Sequence, residues 1–228
     1  MDGFSKTISL LLIEAGIAEI NIFQRVSVEL PGFFRPTKEW DLVVAVDGNL
    51  IAAIELKSQI GPSFGNNFNN RTEEALGTAM DIWTAYREGA FHASPAPWLG
   101  YLLILEDCPE SRRPISVREP HFPVFAEFIG ASYAKRYELF CRKLIRERQY
   151  NSACFITADR KNANLSENYG EPAKDLSPSQ FLGGLLGHAE HAEGLELHLQ
   201  GVQRQLQRRD LHQQPEGRRS VRLRGLCD

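Results

Sequence analysis

The chain lacks most of the features that assign a protein to a chemical class at first sight. Its four cysteines, Cys108, Cys141, Cys154 and Cys227, form no C-x-x-C pair, which speaks against a zinc knuckle. They read instead as buried or incidental thiols of a reducing compartment. No long apolar run is present. The longest one near the start, Ile8 to Ile13, contains Ser9 and ends at Glu14. A membrane span needs about 20 apolar residues and a secretory signal a longer core than this, so an amphipathic core helix and a cytoplasmic protein are expected. There is no P-loop, no dinucleotide fingerprint and no serine or cysteine nucleophile arrangement. Positive charge is not in excess either: the formal net charge is −3, so the basic footprint usual for nucleic-acid binders is missing overall. That leaves room for a local basic groove, and for a bound cation to supply positive charge at one site.

What is present is an ordinary globular composition, 43% apolar and 24% charged over 228 residues, enough for one sizeable domain with a core. Periodicity predicts a helix over 4–20, weakened or ended at Gly16, then a strand over 23–30 and a Pro31-Gly32 turn. Phe33 to Thr37 reads as a loop leading to a hairpin within Trp40–Lys57. A second helix is predicted over 71–86, started by Asn70 or Thr72, with Ala75, Leu76, Ala79, Met80, Ile82, Trp83 and Tyr86 as its apolar stripe. The small residues Ala75 and Ala79 would let it sit close to a sheet. A loop over 89–97, a buried strand over 98–105 and an irregular segment over 108–125 carrying Arg112, Arg113 and Arg118 follow. Then come a helix over 131–149 with a basic outer side, a strand over 153–158 and a helix from Pro178 capped by Ser177. Residues 188–228 contain no Phe, Tyr, Trp or Lys, yet hold seven arginines and many glutamines. They read as a polar tail, disordered or helical, or translated out of the original frame, beyond a domain of residues 1–187.

The hairpin WDLVVAVDGNLIAAIELK organises the rest. A loop of Asp47-Gly48-Asn49 sets Val46 against Leu50 and thereby Asp41 against Glu55, with Lys57 on the same face. Leu42, Val44, Val46, Leu50, Ala52, Ile54 and Leu56 would then form the opposite face, and Val43, Ala45, Ile51 and Ala53 the remainder of the catalytic one. A two-residue loop would shift the register by one and turn Asp41 away. With both faces covered, the pair would lie centrally in an α/β sheet.

Asp41, Glu55 and Lys57 follow the pattern D…E-x-K. Two carboxylates and the backbone carbonyl of Leu56 are an oxygen set suited to magnesium, a hard cation. Such an ion would lower the pKa of a bound water and offset charge on a phosphate, while Lys57 would position or activate the water. Glu14 or Glu29 is a candidate for an assisting carboxylate. E-x-K by itself is more often a solvated ion-pair pattern. The upstream aspartate and the otherwise apolar strand weigh against that, because charges on a covered sheet face are costly unless used or paired.

The block that follows carries a resemblance. Glu55 to Ser58 (ELKS), Gly61 to Arg71 (GPSFGNNFNNR) and Glu73-Glu74-Ala75 resemble the XhoI family of type II restriction endonucleases. So do Pro31 to Asp41 (PGFFRPTKEWD), Tyr86 to Gly89, Glu106-Asp107-Cys108, His121 to Phe125 (HFPVF) and Gly130 to Tyr137 (GASYAKRY). The resemblance spans about Met1 to Leu186. It implies a PD-(D/E)xK restriction-endonuclease-like core, a central mixed β-sheet flanked by helices. It also implies magnesium dependence, a homodimer, double-strand cleavage within CTCGAG and a cognate methyltransferase that protects host DNA. The catalytic roles it implies fall on Asp41, Glu55 and Lys57. The chain starts later than family members, which is read as a missing N-terminal segment, and its end after Gly187 departs from theirs.

Asn66, Asn67, Asn69, Asn70 and Arg71 admit two uses. Asn pairs bidentately with adenine and Arg with guanine in the major groove, so these residues could read bases or grip phosphates. Gly and Asn are also the residues of tight turns, and Gly65 would let such a loop approach DNA closely. His121 reads as structural. Two further functions stay open on the residues alone: a repair- or recombination-type nuclease with the same core, and a DNA-binding protein without cleavage.

Overall fold

The computed structural model describes residues 2–92, 94–160 and 169–191. Helix α1 (Asp2–Glu14) stops several residues short of the predicted end. Its last turn closes with Gly16 N–H on the Ile13 carbonyl and Ile17 N–H on that of Leu12, with Gly16 at φ 106°. This is the left-handed helix end that glycine favours. The predicted strand over 23–30 breaks in two. Only β1 (Ile22–Phe23) and β2 (Glu29–Pro31) are extended, because Arg25 and Ser27 sit at φ 63° and 55° and turn the chain between them. β2 pairs with β3 (Thr37–Glu39) in a separate two-stranded ribbon whose tip is Gly32 to Pro36.

β4 (Leu42–Val46) and β5 (Asn49–Gln59) form the hairpin. α2 (Phe64–Arg87) follows, then β6 (Trp98–Glu106), a short α3 (Pro109–Arg112) at the start of the irregular segment, and α4 (Tyr133–Arg146). β7 (Ser152–Ala158) and β8 (Tyr169–Gly170) complete the sheet. A last helix, α5, covers 178–191, with the Ser177 hydroxyl accepting from Gln180 N–H at 3.3 Å as expected of a cap. The sheet runs β1-β4-β5-β6-β7-β8. β5, β6 and β7 are parallel and the outer pairs antiparallel. This is the expected α/β architecture, a mixed central sheet flanked by helices. Residues 1–190 form one compact unit. α5 runs through position 187, and its Ala189 is buried. The remainder of the predicted tail, 192–228, lies outside the described residues.

Two helices cover the face of the sheet that carries Glu55. Ala75, Ala79 and Ile82 of α2, with Tyr137, Phe140 and Leu144 of α4, pack on Val43, Ala53, Leu99, Tyr101, Leu103 and Phe155. Ala75 and Ala79 are fully buried, as their small size predicts. Leu76 and Met80, expected in the same stripe, are about half exposed, because the buried side of α2 runs through 75, 78, 79, 82 and 85. Tyr150 Oη donates to the Ala75 carbonyl at 3.2 Å and Trp83 Nε1 to the Gln149 carbonyl at 2.9 Å, tying α2 to the chain after α4. The other face buries Leu42, Val44, Ala52 and Ile54 and is covered in part by α5, whose Phe181 meets Trp98 edge-on at 5.1 Å. Among the described residues no helix is long and apolar enough to cross a membrane.

Gly100 sits beneath that aromatic contact: a Cβ there would lie 2.4 Å from the Trp98 ring and 2.7 Å from that of Phe181. Gly100→Val is therefore expected to cost about 2 kcal/mol or more through overpacking. A urea unfolding midpoint unchanged from wild type would contradict this packing.

Candidate active site

The side chains of a strand alternate between faces, so the hairpin register decides whether Asp41 and Glu55 meet. The loop has two residues, not three. Val46 faces Asn49, with Asp47 and Gly48 at φ 46° and 81°, the pair of positive angles that a type I′ turn requires. Continued without interruption, this register would turn Asp41 away from Glu55. A β-bulge corrects it: Ala45 faces Leu50 but Val44 faces Ala52, so Ile51 is an extra residue. Beyond the bulge Leu42 faces Ile54, and Asp41 N–H donates to the Ile54 carbonyl at 3.2 Å. The predicted register near the site is thus reached by a different route. One consequence differs from expectation: Leu50 joins the Glu55 face of the core instead of the opposite one.

The register brings the three sequence-predicted residues together. Asp41 Oδ2 accepts the Leu56 N–H at 2.7 Å and lies 3.6 Å from Lys57 Nζ. Glu55, with a side chain only 3% exposed, is ion-paired with Lys57 and with Lys38 of β3. In an extended strand a residue's N–H and C=O point to the same edge. The Leu56 carbonyl therefore faces the side on which Asp41 sits, beyond the end of β4. Burial works to lower the Lys57 pKa. The charge and hydrogen bond of Glu55, then the charge of Asp41, outweigh it and raise the pKa above the ordinary lysine value. Lys57 is thereby held as a cationic donor at neutral pH.

Glu55 and Lys57 open onto a cleft of about 490 Å³ lined also by Phe34, Arg35, Lys38, Arg71, Glu73, Glu74, Thr78, Asp81 and Tyr101. Most of its charges are paired: Arg71 with Glu74, Arg35 with Asp81, and both lysines with Glu55. Tyr101 is the cross-strand neighbour of Glu55, and burial raises its phenol well above the ordinary value, so it is a neutral O–H. Tyr101 Oη and Arg71 Nε find no hydrogen-bond partner among the described residues. No cluster of three or more His, Cys, Asp or Glu gathers among the described residues. The residues that could hold a cation are Asp41 and Glu55, through their carboxylates, and Leu56, through its backbone carbonyl. That set suits a hard divalent ion, which commonly takes one or two carboxylates plus water and substrate oxygens.

The asparagine block is not a loop. Asn66, Asn67, Asn69 and Asn70 lie in the first two turns of α2, which begins at Phe64 rather than Arg71. Phe64 stacks on Tyr133 at 5.6 Å and Phe68 meets Tyr137 edge-on at 5.0 Å. This aromatic spacing of four anchors the helix early and is a signal that the Gly/Asn content obscured. Neither predicted cap acts as one: the residue preceding the helix is Ser63, and the Thr72 hydroxyl donates back to the Phe68 carbonyl at 2.9 Å. Gly65 serves packing, since a Cβ would stand 2.7 Å from Tyr133 Oη. Of the predicted DNA-contacting residues only Arg71 lines the cleft. Asn66, Asn69 and Asn70 are exposed at helical spacing with the cleft residue Glu73, while Asn67 is half-buried. Glu14 and Glu29 are exposed and do not line the cleft, where the further carboxylates come from α2. Arg112 pairs with Asp107, Arg113 lines a separate cleft with Asn66, and Arg118 and His121 are exposed.

Sequence reasoning missed Lys38, Arg35 and Asp81. Asp81 was visible as a carboxylate beside the apolar stripe of α2. It is 4% exposed and accepts Phe33 N–H at 2.7 Å, Phe34 N–H at 2.8 Å and Arg35 Nε at 2.6 Å. Burial acts to raise its pKa. The N–H of Phe34, the Arg35 side chain and the N–H of Phe33 reverse that and hold it below the ordinary carboxylate value. A carboxyl depressed by folding contributes stability above its unfolded pKa and loses it as pH falls through the folded one. Asp81→Ala is expected to cost about 2 kcal/mol at neutral pH, mostly from the two stranded N–H groups, the half-exposed Arg35 pair adding little. The gap between the unfolding midpoints of wild type and variant should narrow in acid. A gap that stays constant down to strongly acidic pH would contradict the assignment.

The restriction endonuclease XhoI family model matches residues 1–171. The type II restriction enzyme BstVI of Geobacillus stearothermophilus is 54% identical over 193 residues, 82% of this chain and 86% of its own. The type II restriction enzyme XhoI of Xanthomonas vasicola is 52% identical over 147 residues, 64% of this chain and 59% of its own. AbrI of Azospirillum brasilense, a type II restriction enzyme too, is 56% identical over 123 residues, 54% of this chain and 55% of its own. No solved structure matches the chain. With a family model spanning most of the chain and a relative more than half identical over most of both lengths, the chain belongs to the XhoI family of type II restriction endonucleases, which are site-specific deoxyribonucleases.

Proposed function

We propose that residues 1–187 form a nuclease domain that makes magnesium-dependent double-strand breaks at a palindrome, CTCGAG. In this reading the enzyme works as a cytoplasmic homodimer, and a cognate methyltransferase protects host DNA. The observation that carries the reading is the corrected hairpin register, which sets the Asp41 carboxylate on the Leu56 N–H and within 3.6 Å of Lys57, on the Glu55 side of the sheet. Membership of a family of type II restriction enzymes supports it independently.

Asp41, Glu55 and the Leu56 carbonyl would hold the ion. When bound, it supplies acidification of a ligated water and charge compensation at the phosphate. Lys57 donates from Nζ to the attacking oxygen and the scissile phosphate, holding one against the other and offsetting the negative charge that develops. Arg71, inside the cleft beside Glu74, grips a phosphate oxygen. Asn66, Asn69 and Asn70 present their amides from the exposed side of α2 toward base edges or the backbone, and half-buried Asn67 supports them.

Plasmid digestion with magnesium tests this. The expected result is discrete fragments ending at CTCGAG, with Asp41→Ala, Glu55→Ala and Lys57→Ala each slowing cleavage by about 100-fold or more. Cleavage confined to branched DNA would move the activity to a structure-reading nuclease. Binding without cleavage, unaltered by these substitutions, would leave only a DNA-binding protein.

A further inference from the structure

The tip of the β2–β3 ribbon carries two aromatic side chains that the hydrolytic machinery does not use. Phe33 is 52% and Phe34 69% exposed, and their rings meet edge-on at 5.1 Å. The backbone that carries them is held in place. Both backbone N–H groups and the neighbouring Arg35 guanidinium are held by the single buried carboxylate of Asp81, and Arg35 Nη2 also reaches Thr78 Oγ1 at 3.4 Å. Gly32 lets the tip close on that carboxylate, since a Cβ there would lie 2.6 Å from Asp81 Oδ2. The backbone of the tip is therefore held before any partner arrives, which leaves less to order on contact.

Its position names the partner. Phe34 and Arg35 line the same cleft as Glu55 and Lys57, and Lys38 of the same ribbon is paired with Glu55. A duplex whose scissile phosphate reaches Lys57 passes the ribbon, because Phe34, Arg35 and Lys38 line the same cleft. A second copy of the chain seated on Phe34 would instead close the cleft to substrate. We propose that Phe33 and Phe34 are an apolar wedge that enters a base step of the bound duplex and unstacks it, positioning the scissile phosphate over Lys57. This rests on the nuclease reading above. The chemistry is that of other groove binders, in which an apolar side chain opens a step and kinks the duplex.

The test uses duplexes carrying CTCGAG with 2-aminopurine replacing the adenine of the site or an adenine in its flanks. Calcium stands in for magnesium, so that binding can be read without cutting. Wild type is expected to raise the fluorescence several-fold at one or two positions. The Phe33→Ala/Phe34→Ala double variant should lose that rise and show a KM about tenfold or more higher in magnesium. Phe33→Leu/Phe34→Leu, which keeps an apolar wedge, should recover most of both, and sedimentation of the free protein should be the same for all three. Unchanged fluorescence and KM in the alanine variant would overturn the wedge while leaving the nuclease reading intact. A change in self-association with DNA contacts retained would assign the tip to an interface between copies and overturn it as well. Failure of wild type to cut any plasmid would overturn the nuclease reading and the wedge with it.

Discussion

One extra residue, Ile51, governs where the charged groups of this fold come together. The alternation of side chains along a strand makes register an all-or-none matter: a slip of one residue moves a whole strand's side chains to the other face. The Asp47-Gly48 turn alone imposes the wrong register for a shared site. The bulge at Ile51 adds the missing step and leaves Asp41 and Glu55 on one face. It also moves Leu50 into the core beneath α2, so apolar packing and site geometry favour the same local irregularity. Bulges near active sites recur because they re-aim side chains without changing the strand order.

A second constraint is charge. Glu55 is almost completely buried on a sheet face that is otherwise aromatic and aliphatic, a position that a carboxylate tolerates only with partners. Lys57 comes from its own strand and Lys38 from the separate ribbon, so the ion pairs that neutralise Glu55 also dock the ribbon. Asp81 does the same at the ribbon's tip through its three donors. The cleft is thus bounded mostly by paired charges rather than by a surplus of basic residues. This is consistent with a net-negative chain, and with a site whose positive potential would rise once a divalent cation is added.

Much of this was legible in the sequence where periodicity was strong. The covered α/β sheet, the buried strand at 98–105, the alanine-lined side of α2 and the Ser177 cap all follow from local pattern, while the mixed strand directions came with the family resemblance. The grouping of Asp41, Glu55 and Lys57 was also reached, though from a three-residue loop that does not exist. Ile51 is apolar and suits a strand of either register, so nothing in its identity marks a bulge. The Asn block misled because asparagine and glycine carry turn propensity, whereas Phe64 and Phe68 settle the matter by packing on Tyr133 and Tyr137, residues distant in sequence. The roles of Lys38 and Asp81 stayed hidden for the same reason: each comes from a partner 17 or more positions away.

The central proposal is that the bulged hairpin gathers an oxygen set from Asp41, Glu55 and Leu56 for a divalent cation. Anomalous diffraction from crystals soaked in manganese tests it most directly. The account predicts a peak within coordination distance of both carboxylates, lost when Ile51 is deleted and the register slips. A peak on other carboxylates of the cleft, such as those of α2, with none between Asp41 and Glu55, would contradict it.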